Sequence, residues 1–527
     1  MDRMHNLTTD PIITLRLANE TVSASLPRTF ELLFEDAVLD FPALRPHQGP
    51  AWHAFLVQLA FLATEDGEVP TDAEGWAAAL RGLTREWPQD EPWCLVAPAE
   101  APAFLQSPAP GGDLRPYDKP IATPDELDPL VTSKNHDFKA ARMRAAMPEE
   151  WMFALMTLQT TAGYSGRKNY GIMRMRNKWS SRPFLSISPN GNFGTRIKRD
   201  YNVLVRNRNL IYSRTPEFGR ENRPIWLLPW DGNEALEISK AHPLAIEICR
   251  RIRLGLDKNG QIEAYFAGTE NARIDDFNLR GATGDPWTPT ENTDGTYQAI
   301  EIDKEGFMWR RLHDILFKFE KPMLAKCFPD DGDSVEIVAA GLARTAHEKG
   351  RTNGFYLRRV PITNRFAVRA LMDDGEERQR LARLSEDFAT HAMTAADRCL
   401  APALFILFQK GKTQKDSKKA FCKSKNTKEQ ISPWMQRFDY LIDQTFFNRL
   451  WTGAESEETA RKALDAWDSW LHQAAFQVFD QAVEAAPRTD QRRIFAAAQA
   501  RDLLSGALRS HLPLSTTTPD QEAADAE

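Results

Sequence analysis

Apolar residues recur at helical spacing throughout the last third of the sequence, where glycine is sparse and prolines mark the ends of helices. A helix with one apolar face must bury that face against a neighbour. A further helix is expected near residues 434–451, so four helices with short joints predict a C-terminal four-helix bundle over residues 376–511. The three apolar stripes comprise Leu381, Leu384, Phe388, Ala395 and Cys399; Leu464, Trp467, Leu471, Ala474 and Val478; and Ile494, Ala497, Leu504 and Leu508.

The preceding residues mix helical and strand patterns. Residues 12–17 alternate as a strand does, and Pro148 opens a helical pattern whose first turn carries two glutamates. Short strands are also predicted at residues 203–205 and 300–302. The chain is therefore predicted to be α+β, with a large mixed α/β domain over residues 1–370, the bundle, and a disordered tail over residues 512–527.

The net charge of −6 conceals a strong separation of charge along the chain. Residues 31–130 hold 18 acidic and 5 basic residues, whereas residues 166–214 hold 12 basic residues and one acid, Asp200. An acidic chain argues weakly against a general nucleic-acid binder, but so large a local excess indicates where a polyanion would bind.

Tyrosine and tryptophan side chains are interleaved with the basic residues of segment 163–214. Arg and Lys gain affinity for DNA by displacing counterions, and aromatic rings can stack on unpaired bases. The alternative is a solvated loop whose cations pair with the acidic N-terminal domain. We prefer the nucleic-acid interpretation because one acid cannot locally neutralise twelve bases.

Residues 134–144 form a second polar and basic run, which begins Lys134-Asn135-His136-Asp137. An enzyme could use His136 and Asp137 as a base or a metal pair, but no second His/Asp cluster lies nearby in sequence. Such a run is more typical of a loop that binds phosphate or RNA.

Two other segments are candidates for nucleic-acid contact. Gly341 to Gly354 is a glycine-bounded basic stretch between apolar flanks, which predicts an exposed hairpin or loop; the alternative is a plain surface turn. Residues 410–428 hold eight lysines and one acid, and form either a backbone contact or a solvated linker.

The sequence contains no phosphate-binding glycine loop, no HExxH and no GxSxG motif, so no cofactor is predicted. The five cysteines are too widely spaced for a zinc pair and are interpreted as reduced, buried thiols. The longest apolar stretch, residues 51–63, is too short to cross a bilayer. A cytoplasmic protein with no membrane partner and no metal is expected.

Several short segments, taken in order, resemble the large subunit of the type I-E CRISPR surveillance complex called Cascade. The resemblance covers nearly the whole chain and ends in the predicted bundle. The segments are Leu130 to Asp137, Gly163 to Gly166, Asn169 to Gly171, Ser180 to Pro183, Arg223 to Trp226, Gly284 to Pro289 and Gly341 to Arg344.

The resemblance implies a non-catalytic subunit that recognises a short PAM in double-stranded DNA and helps to open the duplex for R-loop formation. Its implied partners are target DNA, the 5′ end of the guide RNA, the backbone, 5′-end and small Cascade subunits, and a helicase-nuclease that it recruits. A wedge is implied at Arg344, Thr345, His347, Lys349 and Arg351. The DNA- or RNA-binding residues are predicted to be Lys134, Asn135, His136, Lys139, Tyr164, Arg167, Lys168, Asn169, Tyr170, Lys178, Ser180, Ser181 and Arg182.

The chain departs from this family pattern in two places. Some members carry a cysteine cluster in the middle domain, which this chain lacks. The family's minor-groove loop is glycine-rich, whereas residues 178–182 contain no glycine, so PAM preference can differ. A metal-dependent nuclease and a pure assembly scaffold without DNA contact are the alternatives.

Overall fold

The computed structural model describes residues 4–65, 67–130, 146–161, 168, 170–274, 277–345, 352–372, 375–409, 425–486 and 491–514. Helices and strands are mixed up to residue 362, and the described residues beyond it are helical, which confirms the predicted α+β class. The chain divides into two compact units. The first unit is Met1–Phe307 with Lys318–Pro361, and the second is Met308–Phe317 with Ile362–Glu527.

Twelve short strands in the described residues form small antiparallel sheets. The strand predicted at residues 12–17 is confirmed as Ile13–Arg16. The strands are β1 (Met4–Asn6), β2 (Ile13–Arg16), β3 (Thr21–Ala24), β4 (Cys94–Val96), β5 (Lys119–Ile121), β6 (Phe184–Pro189), β7 (Arg251–Leu256), β8 (Ile262–Ala267), β9 (Thr290–Thr293), β10 (Thr296–Ala299), β11 (Val335–Leu342) and β12 (Phe355–Ile362). Their orders are β1-β4, β2-β3, β5-β8-β7, β10-β9 and β12-β11-β6.

The helices of the first unit surround an aromatic core. Trp52 stacks on Phe55 at 5.4 Å between ring centroids and meets Phe153 edge-on at 5.2 Å. Such pairs add to the stabilisation from burial alone. The helices are Leu26–Phe34, Gly49–Thr64, Ala73–Leu83, Pro124–Leu127, Pro148–Thr161, Phe193–Arg206 and Arg208–Arg214.

The helix predicted to begin at Pro148 is confirmed, and its first-turn glutamate has a structural role. Glu149 accepts hydrogen bonds from the Thr14 amide at 2.6 Å and the Thr14 hydroxyl at 2.9 Å. Burial raises the pKa of Glu149, while these two bonds favour its charged form. The carboxylate therefore joins this helix to β2.

Two predicted strands of the first unit are wrong. Residues 203–205 lie inside the helix Phe193–Arg206, because Ile197, Tyr201 and Leu204 form a buried face at helical spacing. Residues 300–302 follow the end of β10, and Ile302 forms only an isolated bridge with Arg344.

The second unit contains four long helical segments, as the apolar stripes predict. The first runs from Glu376–Thr394 through a π-helical stretch, Ala395–Leu400, into Ala401–Phe408. The other three are Lys425–Thr452, Glu457–Ala485 and Gln491–His511. Two shorter helices, Trp309–Phe317 and Arg365–Met372, belong to the same unit, so the compact units differ from the boundary placed at residues 370–376.

The last helix is rotated relative to its predicted face. Leu504 and Leu508 are buried as predicted, but Ile494 is 66% exposed, and Ala496 and Ala500 complete the buried face at four-residue spacing. Leu512, where the predicted disordered tail begins, is also buried. Residues 515–527 lie outside the described chain.

Candidate nucleic-acid interface

Pairing between β6 and β11 brings two predicted sites together. Phe184 pairs with Ala340 and Leu185 with Ala339, so residues 178–182 lie beside the end of β11. The Ser181 hydroxyl donates a hydrogen bond to the Leu342 carbonyl at 2.6 Å. Residues about 160 positions apart in sequence therefore meet at one end of a three-stranded sheet.

Backbone hydrogen bonds hold together the two ends of the segment that contains the predicted wedge. The Ala343 amide donates to the Gly354 carbonyl at 2.8 Å, and the Asn353 amide donates to the Ala343 carbonyl at 2.9 Å. The Arg344 amide donates to the Ile302 carbonyl at 2.9 Å. These bonds fix both ends of the loop 344–353 on β11 and β12.

Two of the wedge residues are buried at this base. Arg344 is 2% exposed and Thr345 is also buried, whereas an exposed hairpin or loop was predicted from the sequence. Burial lowers the pKa of Arg344 to about 10, and the nearby Arg250 adds to this effect. His347, Lys349 and Arg351 lie outside the described residues.

The residues predicted to read DNA in the loop 178–182 differ in accessibility. Lys178 is exposed, with its ammonium 5.6 Å from the centre of the Trp179 ring. Ser180, Ser181 and Arg182 are buried in this structure, and their contact with nucleic acid stays a prediction. They hold the loop in place.

Arg182 belongs to a buried cluster of four charges. The Asp285 Oδ2 atom lies 2.7 Å from Nη2 of Arg182 and 2.8 Å from Nε of Arg174, and Arg174 also pairs with Glu247. Burial lowers the pKa of Arg182 to about 10, while Asp285 favours the charged form. The same burial raises the pKa of Glu247. Two arginines and two carboxylates balance, which makes the cluster a structural support for residues 173–182.

Lys168 and Tyr170, two further predicted residues of segment 163–214, lie near β7 and β8. Lys168 is exposed and pairs with Glu270, and its carbonyl accepts a hydrogen bond from the Thr269 amide at 2.9 Å. Tyr170 is half-buried, and its carbonyl accepts a hydrogen bond from Arg250. Tyr164, Arg167 and Asn169 lie outside the described residues.

In the described part of segment 163–214, seven basic side chains form ion pairs, which corrects the argument that they could not be neutralised. The carboxylates belong to residues 200–336 and not to the acidic residues 31–130. Most of them lie far along the sequence from the basic residue they pair with, so a local count of charges missed them. The pairs are Lys168 with Glu270, Arg174 with Glu247 and Asp285, Arg176 with Glu291, Arg182 with Asp285, Arg196 with Glu336, Arg199 with Asp200 and Asp331, and Arg206 with Asp330.

The third predicted segment begins next to the wedge. The Thr352 hydroxyl donates a hydrogen bond to the Pro129 carbonyl at 3.0 Å, just before the run that contains Lys134, Asn135, His136 and Lys139. Those four residues lie outside the described chain. The described ends of three predicted nucleic-acid segments therefore meet in one region of the first unit.

In the second unit, a serine, a histidine and a glutamate are hydrogen-bonded in series, as in the catalytic triad of a hydrolase. His313 Nδ1 lies 2.7 Å from Ser385 Oγ, and His313 Nε2 lies 3.1 Å from Glu386 Oε2. Ser385 is fully buried, so no substrate can reach its hydroxyl. The arrangement joins two helices.

The described residues contain neither a metal-binding group nor a membrane-spanning helix. Across the part of the chain that the structure describes, His, Cys, Asp and Glu side chains form no group of three that could hold a metal ion. Within the same residues, each helix is too short or too polar to cross a membrane.

A family model described as CRISPR-associated protein Cse1 matches residues 6–478. The chain belongs to the Cse1 family. This membership confirms the resemblance to the large subunit of type I-E Cascade. A comparison with curated proteins found no match.

Solved structures of Cse1 proteins share the fold across the whole chain. Cse1 from Acidimicrobium ferrooxidans has a TM-score of 0.65 at 16% identity, covering 97% of this chain and 98% of that chain. Cse1 from Thermobifida fusca has a TM-score of 0.63 at 14% identity, covering 97% and 99%. A chain from a CRISPR RNA-guided surveillance complex has a TM-score of 0.59 at 14% identity, covering 96% and 100%.

Proposed function

We propose that this Cse1-family chain is a non-catalytic subunit of an RNA-guided surveillance complex that recognises PAM in double-stranded DNA. In this proposal it also helps to open the duplex for R-loop formation and recruits a helicase-nuclease. The observation that carries the proposal is the meeting of segments 128–130, 178–182 and 341–355 at one end of a sheet. Similarity to a chain of a surveillance complex supports assembly with guide RNA and other Cascade subunits.

In this proposal, buried residues position the loop 178–182 and exposed residues contact the DNA. Lys178 is exposed on a loop that buried residues fix, so a phosphate contact need not order the backbone of the loop. Minor-groove edges distinguish base pairs poorly, so readout there tolerates several PAM sequences. Sequence identity is then read by pairing with the guide RNA, as in other CRISPR effectors.

Opening a duplex requires a rigid base. Unstacking a base step costs a few kcal/mol, so an inserted segment must resist being pushed back. The hairpin loop 344–353 is fixed by backbone hydrogen bonds at both ends and by the buried Ile337 on β11. The loop is therefore suited to act as a wedge beside docked DNA.

The salt dependence of DNA binding tests the recognition step. Lys178→Ala in the assembled complex should weaken binding to PAM-containing duplex and reduce the salt slope by about one unit, because one phosphate contact is lost. Arg115→Ala is the control, since Arg115 is also exposed but lies outside the predicted nucleic-acid segments. Equal affinity and slope for Lys178→Ala and the unmodified chain would contradict the proposal.

A cleavage assay separates the proposal from a nuclease. The purified subunit should not hydrolyse DNA with magnesium, and His136→Ala should change only its docking onto the guide-bearing complex. Magnesium-dependent cleavage that His136→Ala abolishes would establish the nuclease instead. A salt slope near zero for the unmodified chain would favour a pure scaffold.

A further inference from the structure

Lys168 has a backbone conformation that residues with a side chain rarely adopt. Its φ angle is +67°, in the left-handed region that favours glycine. The Lys168 carbonyl accepts hydrogen bonds from the Thr269 amide at 2.9 Å and the Thr269 hydroxyl at 3.3 Å. Gly268 packs so closely that a Cβ atom there would lie 3.2 Å from Cβ and 3.4 Å from Cδ of Lys168. The turn 268–270 therefore fixes the backbone and the aliphatic part of Lys168.

The turn 268–270 is itself held on two sides. It directly follows β8, and the Glu270 amide donates a hydrogen bond to the Gly232 carbonyl at 2.7 Å. Buried Arg251, the first residue of β7, donates a hydrogen bond to the Gly268 carbonyl at 3.3 Å. These contacts give the turn one position, which a ligand need not order when it binds.

The charged end of Lys168 remains accessible to solvent. Its ammonium forms an ion pair with the Glu270 carboxylate, and the two side chains are 47% and 58% exposed. Exposed pairs of this kind contribute little to stability and are screened by salt, so another anion can replace the carboxylate at small cost. One turn thus positions a cation of the predicted nucleic-acid segment and supplies the anion that occupies it.

The ion pair lowers the affinity that Lys168 can contribute to DNA binding. A phosphate gains affinity from a lysine because counterions are released, and a lysine neutralised by a carboxylate releases fewer of them. A phosphate that reaches Lys168 also comes close to the negative charge of Glu270, and like charges repel. Both effects act on duplex of any sequence, because every duplex carries the same phosphates.

We propose that the turn 268–270 presents Lys168 to a backbone phosphate of duplex DNA, and that Glu270 occupies the place of this phosphate in the free protein. The inference rests on the proposed function, because it takes Lys168 as one of the residues that contact DNA. Glu270 then limits how tightly the subunit holds DNA, so that the complex leaves duplex without PAM sooner. The preference for PAM does not depend on Glu270, since the contact is to the backbone.

Glu270→Gln in the assembled complex tests the proposal, because it removes the charge and keeps the shape of the side chain. Binding to duplex without PAM should strengthen by about two- to fivefold at about 0.1 M salt, as expected when one exposed ion pair no longer competes. The salt slope should rise by about one unit, because one more cation is available to phosphate. In a Lys168→Ala background, Glu270→Gln should leave both quantities unchanged.

Glu234→Gln is the matched control. Glu234 is exposed and follows Asn233, whose carbonyl accepts a hydrogen bond from Asn271 at 2.6 Å. The control therefore removes a negative charge beside the turn without freeing Lys168. An equal gain in affinity for Glu234→Gln and Glu270→Gln would show a general effect of charge and overturn the proposal. A gain that persists without Lys168, or no gain at all, would also overturn it.

The preference for PAM distinguishes a failure of this inference from a failure of the proposed function. The unmodified complex and Glu270→Gln should prefer PAM-containing duplex by the same ratio of affinities, which also shows that the variant is folded. If the unmodified complex prefers PAM and Glu270→Gln binds no tighter, the inference alone is wrong. A ratio that changes in Glu270→Gln contradicts a backbone contact and overturns the inference as well. If the unmodified complex shows no preference for PAM, the proposed function is contradicted, together with the inference that rests on it.

Discussion

The buried carboxylate of Asp285 forms ion pairs with two guanidinium groups, those of Arg174 and Arg182. Its negative charge is therefore needed to hold residues 173–182 in position. Asp285→Asn should destabilise the protein by about 3–5 kcal/mol, because it leaves Arg174 and Arg182 with one buried carboxylate between them. Denaturant unfolding monitored in the first unit measures the change. Glu270→Gln is the control, since it breaks only the exposed pair with Lys168 and should cost at most about 1 kcal/mol. Equal costs would show that the buried cluster is not a special support.

His391 gives the second unit a dependence on pH. Its Nδ1 atom lies 2.6 Å from Asp468 Oδ1, and this hydrogen bond raises the pKa of His391 above 6.5, although burial opposes the shift. A raised pKa in the folded state means that the protonated form stabilises the fold. The stabilisation is complete below about pH 6.5 and is lost as the pH rises through the higher folded-state pKa.

His391→Gln should therefore lower the unfolding temperature most at pH 5.5 to 6.5 (about one unit around the reference pKa) and progressively less towards pH 8.5. The same substitution in an Asp468→Asn background should show no such trend, because the partner is gone. A pH trend that persists without Asp468 would assign it to another group.

The hairpin of β11 and β12 is the element on which duplex opening depends in our proposal. Replacing residues 345–349 with Gly and Ser should impair R-loop formation on fully paired DNA, because no segment fills the opened gap. Binding to PAM-containing DNA with a pre-opened bubble should remain nearly unchanged. The two substrates, measured side by side, separate the steps; equal impairment of both would make the loop an ordinary binding or folding element.

Elements with strong local periodicity were predictable, whereas elements whose state depends on distant partners were not. The helix from Pro148 and the bundle helices carry apolar residues at helical spacing, and β2 alternates, so local pattern and fold agree. Residues 203–205 are three β-branched or apolar residues in a row, a pattern that predicts a strand. They belong to a helix because Ile197 and Tyr201 place a buried apolar face on the preceding turns.

The sequence predicted which segments form the candidate site, but not which residues in those segments contact each other or distant residues. Charge and glycine content located residues 163–182 and 341–354, since those properties are local. The counterions Glu247 and Asp285 come from segments 60 or more residues away, and no local pattern identifies a pair of that kind. Asp285 does stand in the landmark Gly284-Asp285-Pro286-Trp287, which was a usable signal for a structural role.

At the scale of the whole molecule, one helix is separated in sequence from the unit to which it belongs. Trp309–Phe317 belongs to the second unit although residues 318–361 return to the first. Trp309 is fully buried, stacks on Phe446 at 5.0 Å between ring centroids, and donates from Nε1 to Asp439 at 2.8 Å. A division of the chain at one point near residue 370 would remove this helix from the bundle.

Trp309→Ala in the full chain should therefore destabilise the second unit selectively. Removing a buried tryptophan costs about 3–5 kcal/mol, and compact units of this kind unfold as separate cooperative segments. Native-state hydrogen exchange should show lower protection in the helices Lys425–Thr452 and Glu457–Ala485, and unchanged protection in Pro148–Thr161 of the first unit. Arg310→Ala is a matched control on the same helix, because its exposed ion pair with Asp439 should contribute at most about 1 kcal/mol. If Trp309→Ala lowered protection equally in both units, the chain would unfold as one cooperative body and the helix would not belong energetically to the bundle alone.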